Sequence, residues 1–174
     1  MGTHRGMFWR GSISVQLFCK SSSRGHTVRR RCNGGKAFLC AGRDNRSVNA
    51  SAARIGEREL REIHLPAAKA CCEAGVKGVM AAYNEIDGVY CHMNHHLLTE
   101  ILRDEFGFDG IVMADGVALD RLQEAVGDEP HAAALALSAG VDVSLWDNVF
   151  PYLEDAVKDG LLDEALLDEA VKRF

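Results

Sequence analysis

Three short apolar runs, Val76 to Tyr83, Gly110 to Ala114 and Val141 to Leu145, are separated by stretches carrying apolar residues at helical spacing. No other feature of the chain restricts its fold as much. Short continuous apolar runs suit strands buried on both faces, and strands alternating with helices build a parallel α/β sheet from βαβ units. Leu60, Ile63, Ala67, Cys71 and Ala74 make the first stripe, which Gly75 closes. Pro66 falls inside it and predicts either a kink or a new helix starting there. Residues 84–93 read as a polar loop. Asn94 is then expected to cap a helix buried through Leu97, Leu98, Ile101, Leu102 and Phe106, with Gly107 in the left-handed position after it. Further helices are expected after Gly116, at about 129–139 up to Gly140, and at about 149–159 and 163–174, the last capped by Asp163.

Charge divides the chain. Of 20 basic and 25 acidic residues, residues 1–50 hold ten basic and one acidic, a net of +9, which leaves −14 for residues 51–174 and −5 overall. Residues 1–35 therefore read as a basic, poorly structured leader, within which Ile13, Val15 and Leu17 alternate enough for one short strand. Arg- and Ser-rich, acid-poor composition also describes a transit peptide, but no clear amphipathic face accompanies it. Basic charge alone supplies only non-specific nucleic-acid affinity, so no nucleic-acid partner is expected. No run of about 18 uncharged apolar residues exists, so no membrane span is expected. Six cysteines include the adjacent pair Cys71-Cys72 and show no repeated CxxC, which favours a reducing compartment such as the cytoplasm over a disulfide scaffold. Cys71-Cys72 reads as two small helix residues rather than a redox pair.

In a parallel α/β fold, reactive groups gather where strands end and loops converge. Tyr83 and Asn84 close the first run, Asp115 the second, and Trp146 and Asp147 the third, while Asp142 begins the third. A carboxylate directly after an apolar strand is costly unless it is solvated, paired or employed. Local sequence leaves two readings of Asp115 open, a cap for the next helix or a functional group. Gly116 beside it removes side-chain bulk and suits a close ligand. His92 and His96 are spaced four apart, but a helix cap at Asn94 falls between them, so no metal site is expected. The glycines do not form GxGxxG, and no cofactor is expected.

The runs IGERELREIHLPAAKA (55–70), GVMAAYNEIDGVYCHMN (78–94), LLTEILRDEFGFDGIVMADG (97–116) and AGVDVSLWD (139–147) resemble the C-terminal half of the catalytic barrel of family 3 glycoside hydrolases. These are retaining β-glycosidases typified by β-glucosidases and β-xylosidases. The resemblance implies a partial (β/α)8 barrel over residues 36–174 and hydrolysis of a β-linked glycoside or oligosaccharide. It assigns Asp115 as the nucleophile of a covalent glycosyl-enzyme. Met80 and Tyr83 match residues lining the sugar subsite, though core packing explains Met80 equally well. Lys36-Ala37-Phe38, on an expected short strand, matches the family's Lys-His-Phe with Ala37 where the His belongs, while a lone Lys36 in a basic segment reads more commonly as surface charge. Arg46 is carried forward as the sugar-binding arginine, and the spacing does not separate it from Arg43. Gly116 stands where the family often has an aromatic residue.

A complete barrel takes about 250 residues. About half its strands are expected here, without the front half and without the second domain that usually brings the acid/base. The resemblance thus predicts a truncated or frame-disrupted sequence with impaired activity, for which the missing half or domain is a needed partner. A non-catalytic remnant or sugar-binding module of the same fold is the alternative.

Overall fold

The computed structural model describes residues 52–174. The expected leader, the strand near Lys36, and the candidates Lys36, Arg43 and Arg46 lie outside the described residues.

The first stripe folds as one helical passage that changes its winding. α1 (Glu57–Glu59) runs into a π-wound turn, Leu60–His64, and then into α2 (Leu65–Glu73). Pro66 falls inside this passage, at the point where the π-wound turn gives way to α2, and its missing N–H leaves one bond of the ladder unmade there. The chain reverses at Gly75 (φ +78°) and enters β2 (Gly78–Met80). Upstream, β1 (Ala52–Ala53) pairs in parallel with β3 (Glu85–Ile86), which turns back antiparallel into β4 (Val89–Tyr90).

That hairpin corrects the expected polar loop. Its turn is Asp87-Gly88, with φ of +47° and +88°. Asp-Gly is the pair that tolerates two left-handed positions, so the signal for a hairpin was in the sequence.

The helix after Asn94 forms as expected, although its body, His96–Glu105, is π-wound. The Asn94 side chain accepts from the Leu97 N–H at 3.0 Å, and Gly107 takes φ +66°. Leu97, Leu98, Ile101 and Leu102 are all buried. The helix returns the chain to β5 (Ile111–Met113), which pairs in parallel with β2, Val79 opposite Val112 and Met80 opposite Met113. Helices α3 (Ala118–Val126) and α4 (Glu129–Ala139) follow, α4 capped by Asp128 and closed by Gly140 at φ +113°.

The third expected strand is reduced to a parallel bridge, Met113 to Val143. Its backbone still continues the sheet: the Asp142 N–H donates to the Val112 carbonyl and the Ala114 N–H to the Val143 carbonyl, both at 2.8 Å. The sequence finishes in a 3-10 turn, Phe150–Tyr152, then α5 (Leu153–Lys158) and α6 (Glu164–Lys172), with Asp163 accepting from the Ala165 N–H at 2.9 Å. Alanines 132, 133, 136 and 139 are fully or almost fully buried, and their small side chains let α4 lie close to α3 and to the 91–93 turn. Among the described residues no helix is long and apolar enough to cross a membrane.

One carboxylate secures the end of the sheet where β5 begins. Asp142, its side chain 1% exposed, pairs with Arg103 at 2.6 Å and Arg173 at 2.8 Å and accepts from the Val112 N–H at 2.8 Å. Arg103 also donates to the Gly110 and Gly140 carbonyls. Strands and helices are thus locked at the N-terminal end, opposite the end where Asp115 emerges.

Candidate active site

Asp115 leaves the C-terminal end of β5 and is 1% exposed. Its side chain does not cap α3. Its Oδ1 accepts from the neighbouring Gly116 N–H at 2.9 Å, while its backbone carbonyl accepts from the Ala118 N–H. The capping is done by Asp147, which reaches across from the third strand. Asp147 Oδ1 accepts from the Leu119 N–H at 2.7 Å and Oδ2 from the Leu145 N–H at 2.9 Å. Burial pushes the Asp147 carboxyl upward while these two amides pull it down. Of the two readings of Asp115 that local sequence left open, the capping one belongs to another residue.

The Asp115 N–H points at the Nε2 of His92, 3.2 Å away. His92 lies in the turn Cys91–Met93 and is 2% exposed. Burial outweighs the attraction of the Asp115 charge and drives its imidazole down to about 4, so it is neutral and able to accept at Nε2. His92 and His96 point to separate tasks. His96 is exposed on the π-wound helix and engages Glu100 and Glu57. Among the described residues no group of three or more His, Cys, Asp or Glu could hold a metal ion.

Tyr83 joins Asp115. Its hydroxyl donates to the Gly116 carbonyl, a short contact made one residue beyond the carboxylate. Burial first, and then the Asp115 charge and hydrogen bond, push the Tyr83 hydroxyl upward, with Arg121 acting the other way. The Arg121 guanidinium stands 5.5 Å from the Tyr83 ring centroid, a cation–π distance. Met80 ends β2 level with Met113 and is 8% exposed, a mostly packed side chain.

Gly116 lies between the two aromatic rings of the site. A Cβ placed there would stand 3.5 Å from the Trp146 ring and 3.7 Å from the Tyr83 hydroxyl. Ordinary contact distances mean that packing does not demand glycine. Trp146 itself is 82% exposed at φ +61°, and Val117 adopts φ +60° on the other side of the gap. Left-handed backbone at a β-branched residue is costly and persists only where the surroundings hold it. Here the Val117 N–H donates to the Leu145 carbonyl at 2.9 Å, tying the two strained loops together.

Asp115, Tyr83 and the Trp146–Asp147 loop were legible as strand ends. His92 was visible only as a metal-ligand candidate, and Arg121 carried no signal at all. Cys71 and Cys72 are free, and burial raises both thiols, Cys72 to about 11, which keeps them protonated and suits their reading as helix residues.

A parallel βαβ sheet with a buried carboxylate at the C-terminal end of a strand defines part of a (β/α)8 barrel with a candidate catalytic mouth. Residues 29–174 match the model of the glycosyl hydrolase family 3 N terminal domain, and the chain belongs to that family. A beta-xylosidase of Formosa agariphila is 41% identical over 151 residues, covering 80% of this chain and 21% of that protein. A beta-glucosidase of Rhizobium radiobacter is 36% identical over 124 residues, covering 69% of this chain and 14% of that protein. The structure of the beta-glucosidase from Listeria innocua in complex with glucose superposes at a TM-score of 0.72 with 30% identity, over 83% of this chain and 21% of that one. This chain therefore spans about a fifth or less of the length of these relatives.

Proposed function

We propose that this chain carries the nucleophile of a retaining β-glycosidase, most similar in kind to β-glucosidases, and that Asp115 is that nucleophile. The observation that carries this reading is the placement of Asp115: buried at a strand's C-terminal end, relieved of helix capping by Asp147, and held beside Tyr83. An Asp115 carboxylate oxygen would bond to the anomeric carbon as the glycosidic C–O bond breaks, and water would later release the sugar. Tyr83 would orient the loop after the nucleophile through the Gly116 carbonyl. Met80 would shape the floor of the sugar subsite, and Lys36 and Arg46 would bind hydroxyls. The exposed Trp146 ring beside Gly116 offers the apolar surface that residue 116 itself lacks. Relatives named as beta-xylosidase and beta-glucosidase support a β-linked glycoside as substrate.

Retaining hydrolysis takes two carboxyls about 5–5.5 Å apart. Asp147 does not serve as the second, because backbone amides occupy both its oxygens. A test of Asp115 should therefore not depend on a general acid. An aryl 2-deoxy-2-fluoro-β-glucoside with a dinitrophenolate leaving group meets that need, since such a group departs without a proton. The expected result is a covalent sugar adduct on Asp115, located by peptide mass spectrometry and missing in Asp115→Asn. Saturable sugar binding without any adduct would instead favour a non-catalytic module of the same fold.

A further inference from the structure

We infer that His92 is a positioning residue for Asp115: its neutral imidazole accepts the Asp115 backbone N–H and fixes where the carboxylate stands. The inference rests on Asp115 being the nucleophile, and it adds a residue to which no role in that chemistry has been given.

The contact joins two separate pieces of the chain. Asp115 follows β5, whereas His92 belongs to the turn after the β3–β4 hairpin, 23 residues earlier. Of the other bonds described at residue 115, its side-chain Oδ1 accepts the Gly116 N–H and its backbone carbonyl accepts the Ala118 N–H, both within its own loop. The neighbours of Asp115 are tied to the third strand through the Ala114 and Val117 N–H groups and to Tyr83 through the Gly116 carbonyl, and the imidazole adds a bond that joins residue 115 itself to a distant part of the chain. Its turn is itself located: the Cys91 N–H donates to the Asn84 carbonyl at 3.0 Å, and α3 and α4 both pack on residues 91–93.

An acceptor with no charge is the useful choice here. A cationic side chain in this place would form an ion pair with Asp115 and blunt its nucleophilicity, and a carboxylate would repel it. A neutral ring nitrogen holds the backbone and leaves the side-chain charge alone. Accepting at Nε2 requires the proton to sit on Nδ1, so the tautomer is set by the contact. Reaction requires the attacking oxygen near 3–3.5 Å from the anomeric carbon, and a displacement of about 1 Å can cost about 100-fold in rate. An anchor on the nucleophile's own amide controls that distance directly.

The experiment compares wild type, His92→Leu and His92→Gln in the full chain, with two readouts. Gln keeps an acceptor near the Nε2 position, while Leu keeps volume and removes the acceptor. The first readout is the rate of Asp115 labelling by the dinitrophenyl 2-deoxy-2-fluoro-β-glucoside across probe concentrations. The second is NMR: the His92 tautomer from imidazole nitrogen shifts, and the chemical shift and exchange rate of the Asp115 amide. Expected are an Nδ1–H tautomer in wild type and an Asp115 amide that shifts and exchanges faster in His92→Leu. The maximal labelling rate should fall about 10- to 100-fold in His92→Leu at little-changed half-saturation, and Gln should recover most of it. Equal maximal rates in wild type and His92→Leu overturn the inference, as does an Asp115 amide unmoved by the substitution. Loss of labelling in both variants together with loss of the folded NMR spectrum in both also overturns it, since the role would then be structural. A wild type that never labels while its Asp115 amide responds to His92→Leu overturns the glycosidase reading and with it the catalytic meaning of the contact.

Discussion

At the scale of single residues, the groups around Asp115 divide the polar contacts between them, with Tyr83 beside its carboxylate. His92 takes its amide and Asp147 takes over helix capping. One consequence of burying a neutral histidine is a pH-dependent stability. The folded His92 binds its proton only near pH 4, against about 6.5 for an unperturbed imidazole. Between those values the unfolded chain holds more protons than the folded one, so stability rises with pH across that window and is lost as pH falls through it. We expect on the order of 3 kcal/mol less stability at pH 4 than at pH 7 from this group. His92→Gln should flatten that part of the profile, measured by urea unfolding at successive pH values. Sequence reasoning singled out Asp115 because a carboxylate after an apolar strand is conspicuous, and the structure buries it at the end of β5. That reasoning could not find the contact His92 makes, because a hydrogen bond between residues 92 and 115 depends on how two loops stack, which no spacing records.

Among elements, the long segment around Leu97 to Gly116 turns out to be mostly structural. Its leucines and Ile101 are the buried face, Thr99 donates to the Ala139 carbonyl, and Arg103 grips both strands. Gly110 is the tightest point, where an added Cβ would lie 2.4 Å from the Lys77 carbonyl oxygen. Backbone cannot step aside as a side chain can, so Gly110→Ala should cost at least about 1–3 kcal/mol, the usual range for overpacking. Thermal or denaturant unfolding checks this, and an unchanged midpoint would show that Lys77 and Gly110 separate freely. Apolar runs marked the three sheet segments correctly, yet the ladders are shorter than the runs. Val76 and Ala82 are buried without belonging to the paired strands, while Ala81, just past β2, still donates to the Met113 carbonyl; an apolar run reports burial, and pairing depends on register. The hairpin at 85–90 escaped for the opposite reason: its residues are mixed in polarity, and only the Asp-Gly turn announced it.

For the molecule as a whole, the two ends of the sheet have opposite tasks. The end at Asp142 is closed by an ion-paired cluster joining the π-wound helix, β5, the third strand and the start of the chain's last turn at Arg173. Burial lowers the Arg103 guanidinium more than its partners raise it, so the cluster holds charge at a cost. Removing its centre strands two arginines: Asp142→Ala should lose about 3–5 kcal/mol, with no direct effect on Asp115 chemistry. Denaturant melts of the variant give the first quantity, and labelling at a temperature where it is folded gives the second. Retained stability would mean that solvent reaches the cluster.

The helix that follows Asp115 begins on a cap borrowed from the next strand's loop, through Asp147. A unit cut out between β5 and α3 would therefore leave behind the group that starts its own helix. Any attempt to move Asp115 and its loop into another barrel must carry two adjacent loops as a single inheritable block, and recombination between them should be poorly tolerated.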